Sequence, residues 1–210
     1  MSTEPDWLVF CREIQALAQS GLAFTRDAYD RERYGQLRAL TAQMIAAHTD
    51  APLPFVAGLF ADQTGYATPK IDVRGAAFDT QNRILMVREV ADEGRWTLPG
   101  GWADVNLTAA ENVAKEMREE SGFETRVTKC AAVWDRSRQG HTPQFFSALK
   151  MFYVCEIVGG AAATSLETSE VAFFAEADIP ADLSIGRVLP HQIARMFAHH
   201  RDPGMPTDFE

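Results

Sequence analysis

Gly100-Gly101-Trp102-Ala103-Asp104-Val105-Asn106-Leu107-Thr108-Ala109-Ala110-Glu111-Asn112-Val113-Ala114-Lys115-Glu116-Met117-Arg118-Glu119-Glu120-Ser121-Gly122-Phe123 joins a glycine turn to a segment crowded with carboxylates. Thr108, followed three residues later by Glu111, forms a capping box, and Gly122 stands where a left-handed C-terminal cap belongs, so the spacing predicts a helix over 109–121. Ala110, Val113, Ala114 and Met117 supply its packing stripe. Glu116, Glu119 and Glu120 project along one edge, with neighbouring Cβ atoms roughly 5–6 Å apart. Like charges at that spacing repel by about 0.2–0.5 kcal/mol per pair unless solvent or a cation offsets them. A solvated acidic face would explain the glutamates alone. It would not explain the preceding Leu98-Pro99-Gly100-Gly101-Trp102, a strand-to-loop turn whose glycines allow close approach of a ligand.

The same stretch resembles the Nudix box. Gly101, Glu116, Met117, Glu119, Glu120, Gly122 and Phe123 fall at its spacing, while Leu107 stands where the family has its first Glu and Lys115 where it has Arg. In the family those two positions mainly orient the later glutamates. Lys115 keeps the charge but loses the planar fork that holds a carboxylate at two points. The resemblance implies divalent metal, Mg2+ or Mn2+, held by Glu116, Glu119 and Glu120, with the Gly101 carbonyl in the Gly100-Gly101 turn as a further candidate. Such an ion neutralises a pyrophosphate and lowers the pKa of an attacking water, and both ions favour oxygen ligands. The base for that water is expected from Glu119, or from Glu167 or Glu170 in the stretch Leu166-Glu167-Thr168-Ser169-Glu170-Val171.

Outward from the box, the chain has two styles. Between Asp6 and His48 the apolar residues recur with helical period, Trp7, Phe10, Cys11, Ile14, Leu17 and Ala18 on one face and Tyr34, Leu37, Leu40, Met44 and Ile45 on another, with Gly21 between the two. This predicts a helical hairpin too small to stand alone, which should pack on the body or on a second subunit and serve dimerisation or substrate contact. Its apolar faces exceed what one small body covers, which points to a homodimer. Residues 51–69, with Pro52, Pro54 and Gly65, read as a connector carrying one short extended piece. From Lys70 onward strands are expected over 71–78, 83–88, 125–134, 146–157 and 170–174, with a closing helix over 190–200. The expected division is an N-terminal part, 1–65, and a catalytic domain, 66–205. Strands, a helix and further strands fit an α/β/α sandwich, the mixed-sheet α/β fold that the Nudix resemblance implies for residues 70 to 180.

A finer resemblance, to the CDP-choline and ADP-ribose pyrophosphatase branch, rests on the helical hairpin, Asp72-Val73-Arg74-Gly75, the Gly-Gly-Trp-Ala-Asp-Val box entrance and Glu167 to Phe174. It implies cleavage of a nucleoside diphosphate derivative into a nucleoside monophosphate and a phosphorylated remainder. Arg74 and Arg88, on strands leading to the box, and Arg136, in the polar loop 135–141, are candidate phosphate-binding residues. Trp102 is a candidate for stacking on a base, His141 is not evidence of acid–base work, and His199 and His200 read as surface residues at a helix end.

Composition bounds the alternatives. A net charge of -9 over 210 residues argues against a broad nucleic-acid-binding face. An RNA phosphohydrolase or nuclease would need a basic groove, for which only Arg136 and Arg138 are offered, and a non-catalytic nucleotide sensor, suggested by Leu107 and Lys115, would be expected to lose the metal carboxylates first. No eighteen-residue apolar run suggests a membrane span, and the acidic start lacks the basic opening of a secretory signal. Cys11, Cys130 and Cys155 are too scattered for a zinc site and suit reduced thiols in a cytoplasmic protein.

Overall fold

The computed structural model describes residues 4–210, which fall into two compact units. The first contains α1 (Asp6–Phe24), α2 (Ala28–His48) and α3 (Leu53–Ala61). Asp27 caps α2 by accepting from the Asp30 N–H at 2.9 Å, so the hairpin turns at 25–27. Gly21 lies inside α1, where a Cβ would come within 2.5 Å of the Tyr34 ring. Its lack of a side chain serves close helix approach, not a turn.

The extended piece expected within 51–69 is instead helix α3. Pro52 occupies its N-cap and Pro54 its first turn, where the missing N–H has no intrahelical partner to lose. Prolines read as loop punctuation here start a helix. Cys11, Ala42, Ile45, Val56 and Phe60 form the unit's core. This unit runs to Pro69 and also takes in Pro143–Ser147, so the strand expected from Phe146 begins only at Ala148.

The second unit holds β1 (Lys70–Ala77), β2 (Ile84–Glu89), β3 (Arg95–Thr97), α4 (Ala109–Ser121), β4 (Phe123–Asp135), β5 (Ala148–Gly160), β6 (Thr168–Phe174), α5 (Pro190–Arg201) and β7 (Asp208–Phe209). One sheet has the order β1-β5-β4-β7, with β1 parallel to β5 and β4 antiparallel to it. A second, antiparallel sheet has the order β3-β2-β6. Alternation along the strands serves two cores. Val73, Ala77, Tyr153 and Cys155 face Val113 and Met117 of α4, while Ala76, Phe78, Ala132 and Phe152 face Ile193, Met196 and Phe197 of α5. A helix on each face of a mixed sheet makes the α/β/α sandwich.

Two strands escaped sequence reading. β3 has three residues and β7 two, too few for a period to show. β7 lies past residue 205 and pairs with β4 through Ala132 and Asp208. It also overturns one reading: His199 is 1 % exposed, its Nε2 3.3 Å from Asp208, because the returning C-terminus covers it.

Candidate active site

The box helix is built as its residues dictate. Thr108 Oγ1 accepts from the Glu111 N–H, Glu111 returns the bond to the Thr108 N–H at 2.8 Å, and Gly122 closes α4 at φ 78°. Ahead of it, residues 99–103 run along β1: the Gly75 N–H donates to Pro99, Val73 to Gly101, and Ala103 to Ile71. Gly100 sits in this path at φ 139°, where a Cβ would lie 2.0 Å from the Val73 carbonyl oxygen. Only glycine fits, and its N–H donates to Glu120 at 2.9 Å. Turn and helix are thereby joined at the carboxylate.

Glu120 is 4 % exposed. Burial pushes its carboxyl up to about 7; Arg74 and the Gly100 N–H oppose the rise, while Glu116 and Glu89 add to it. Glu116 is raised too, first by burial, with Lys115 opposing and with Glu119 and Glu167 contributing. Glu119 is half-exposed and lies 3.2 Å from Lys115. These charges share one neighbourhood, in which Lys115 and Arg74 oppose the rise of the two carboxyls without cancelling it. Hard oxygens in this number suit a divalent ion, and beside them Gly101 leaves open the space in which a Cβ would stand 3.4 Å from Glu116 Oε2. The donor set therefore fits the metal that the sequence implies. Among the described residues no three such side chains already converge on one point: Glu120 is turned to Gly100 and Glu119 to Lys115.

Behind the turn stands a buried ionic cluster. Asp72 on β1 accepts from Arg74 Nε at 3.0 Å and Nη2 at 2.9 Å, and from Lys150 Nζ, across the β1–β5 ladder, at 2.6 Å. Burial alone would raise the Asp72 carboxyl, but the two cations overrule it and hold it at about 2. Arg74 Nη1 also donates to the Leu98 carbonyl at 3.1 Å, immediately before the glycine turn. Its guanidinium is thus spent on the scaffold, 3 % exposed, rather than presented to a phosphate. Arg136 is likewise enclosed, donating to the carbonyls of Thr142 and of Gly186, the latter at 3.3 Å.

His141 is buried, its Nδ1 2.7 Å from the Ile185 carbonyl and its Nε2 3.1 Å from Gln192 Nε2. A carbonyl only accepts, so Nδ1 carries the proton and Nε2 accepts from the Gln192 amide. Burial lowers its pKa to about 4, which keeps it neutral. Arg88 is partly exposed over the Trp96 ring, 3.2 Å from Asp182 and 3.5 Å from Glu170. Of the two distal glutamates, Glu167 acts electrostatically on Glu116, whereas Glu170 pairs with Arg88. Trp102 is half-exposed beside Gly101.

Sequence reading missed Glu89 and Asp104. Glu89, buried at the end of β2 and 3.3 Å from Arg187, contributes to the charge felt by Glu120. Asp104 lies 2.9 Å from Lys115. Neither stands at one of the box's defining positions, so only folding reveals their partners.

Residues 68–192 match the NUDIX domain model, and residues 5–60 match a model described as a UDP-X-like N-terminal oligomerisation domain. The chain belongs to the Nudix family. As a Nudix hydrolase it acts on nucleoside diphosphate derivatives. It is 41 % identical, over the full length of both chains, to the Bacillus subtilis (strain 168) protein YjhB, whose name proposes an ADP-ribose pyrophosphatase. Among solved structures it is similar to a UDP-X diphosphatase, at 31 % identity and a TM-score of 0.61 over 100 % of this chain and 99 % of that one. It is also similar to an ADP-ribose pyrophosphatase from Streptococcus suis 89-1591, at 33 % identity and a TM-score of 0.60, over 68 % of this chain and all of the other. Among the described residues of this Nudix hydrolase, no helix is long and apolar enough to cross a membrane.

Proposed function

We propose that this Nudix hydrolase cleaves the pyrophosphate of an ADP-ribose- or CDP-choline-type substrate, releasing a nucleoside monophosphate and a phosphorylated remainder. The observation that carries the reading is the carboxylate edge Glu116, Glu119 and Glu120, tied to the glycine turn by the Gly100 N–H on Glu120. The three glutamates would hold Mg2+ or Mn2+, which supplies charge neutralisation and an acidified water. Gly101 already gives its carbonyl to the Val73 N–H at 2.8 Å, so the Gly100 carbonyl is the better claimant for the metal from that turn. Glu167, exposed and coupled to Glu116, is favoured over Glu170 as the base that takes the water's proton. Glu119, half-exposed and paired with Lys115, is the further candidate for that role. Arg88 is the strand arginine left to meet a phosphate, since Arg74 and Arg136 are enclosed. The enclosure of Arg136 also weakens the RNA alternative.

The test is a panel of ADP-ribose, a UDP-sugar, CDP-choline and 5′-triphosphate RNA with Mg2+ and with Mn2+, scored for nucleoside monophosphate and, for the RNA, for released phosphate or pyrophosphate. Turnover of ADP-ribose or CDP-choline with little action on RNA is expected, and Glu167→Gln should lower kcat roughly 10²–10⁴-fold, the usual worth of a general base. Exclusive cleavage of the RNA would refute the substrate assignment. Undiminished kcat in the Glu167 variant would refute its role.

Dimerisation through the helical unit belongs to the same reading. Phe10, Leu17 and Phe24 recur every seven residues along α1, and Leu37, Leu40 and Met44 follow on α2, all exposed. Its match to an oligomerisation model agrees. Light scattering at micromolar concentration should give twice the 23.3 kDa chain mass, and Leu17→Glu should halve it. A monomeric wild type would contradict the proposal.

A further inference from the structure

Lys115 lies at the centre of three carboxylates, 2.9 Å from Asp104, 3.2 Å from Glu119 and 3.7 Å from Glu116. Two of these belong to the glutamates that the preceding reading assigns to the metal, and the present inference rests on that reading. An ammonium and a divalent cation compete for the same oxygens. An Arg here would be held at two points by its planar fork, whereas Lys is a point charge on a flexible stem. Something else must decide which carboxylate it keeps.

Asp104 is placed to do so, and its placement does not depend on Lys115. The Asp104 N–H donates to Asn112 Oδ1 at 2.8 Å, and Asn112 Nδ2 donates back to the Asp104 carbonyl at 3.3 Å and to Thr108 at 3.1 Å. Asn112 is fully buried on α4. It clasps the entrance loop to the helix one turn before Lys115, so the Asp104 backbone is fixed where its carboxylate reaches the ammonium. The position where the box would carry its first Glu is Leu107, which has no charge to offer.

We propose that Asp104 is a positioning residue that shares the Lys115 ammonium with Glu119 and Glu116 in the metal-free protein and receives it when a divalent cation takes those two carboxylates. It supplies from the loop the anion that Leu107 lacks, and Asn112 supplies the rigidity. Without the Asp104 charge, Lys115 keeps only Glu119 and Glu116, and a metal must displace it with no carboxylate to receive it.

The experiment is a double-mutant cycle on Mn2+ affinity, read from the spectrum of free Mn2+ in metal-stripped protein without substrate. Asp104→Asn keeps the backbone clasp and should weaken Mn2+ binding roughly tenfold, the low end for a residue supporting metal ligands. Lys115→Met should bind at least as tightly as wild type, and adding Asp104→Asn to it should change nothing further. Equal affinity in wild type and Asp104→Asn would overturn the inference. So would the same tenfold loss in the Lys115→Met background, which would make Asp104 a plain source of negative charge. Failure of both wild type and Lys115→Met to bind Mn2+ would overturn the glutamate reading itself, a result distinct from either.

Discussion

Glu120→Gln should abolish hydrolysis, with kcat falling about a thousandfold or more, a barrier increase of roughly 4 kcal/mol, while the fold is retained. Glutamine still accepts the Gly100 N–H through its amide oxygen, so the turn stays joined to α4. What disappears is the charge. The stability consequence has a definite sign in metal-free protein. Burial places the Glu120 carboxyl at about 7, well above the ordinary carboxylate range. Between the ordinary carboxylate pKa and about 7 the folded protein holds a proton that the unfolded chain releases. The associated stability is full below that window and lost as pH rises through about 7. Glutamine removes this loss. Thermal unfolding in EDTA at pH 8 should therefore show the variant as stable as wild type or more so, with the relative gain disappearing near pH 4.5. Full activity in Glu120→Gln would refute the site.

The second large effect is on folding. Asp72→Ala removes the one carboxylate that Arg74 and Lys150 share and leaves two buried cations without it. Breaking a buried pair in this way costs about 3–5 kcal/mol. For a chain of this size each kcal/mol lowers Tm by roughly 2–4 °C, so a fall of about 6–20 °C is expected by calorimetry. Lys150→Met should cost far less, because Asp72 keeps both bonds from Arg74 and a buried ammonium is removed. Equal losses in the two variants would contradict this account. The carboxyl sits at about 2 in the fold, below its ordinary range, so its stabilisation is complete above about 3.8 and fades as pH falls toward 2. Activity should drop in Asp72→Ala beyond what unfolding explains, since Arg74 also fixes the Leu98 carbonyl before the glycine turn.

Those two residues mark what could and could not be read in advance. Glu120 announced itself through spacing, because a helix turns a linear interval into a shared edge, and the capping box and Gly122 bounded that helix to the residue. Arg74 also stood out, but for the wrong partner: in sequence an arginine on a strand near a phosphate site looks like a ligand contact. The register that sets Asp72 opposite Lys150, 78 positions later, turned it into scaffold. Arg136 and His199 were misjudged for the same reason. Their neighbours, Gly186 and Asp208, come from distant turns of the chain.

By itself the sequence determined the box helix, its caps, the shared edge of the three glutamates and the glycine turn, because these depend on intervals of a few residues. Only the tertiary structure decided that Asp104 faces Lys115, that Glu89 joins the acidic site and that Glu167 rather than Glu170 neighbours Glu116. Such juxtapositions are set by strand register and loop closure between distant segments. No local pattern carries that information.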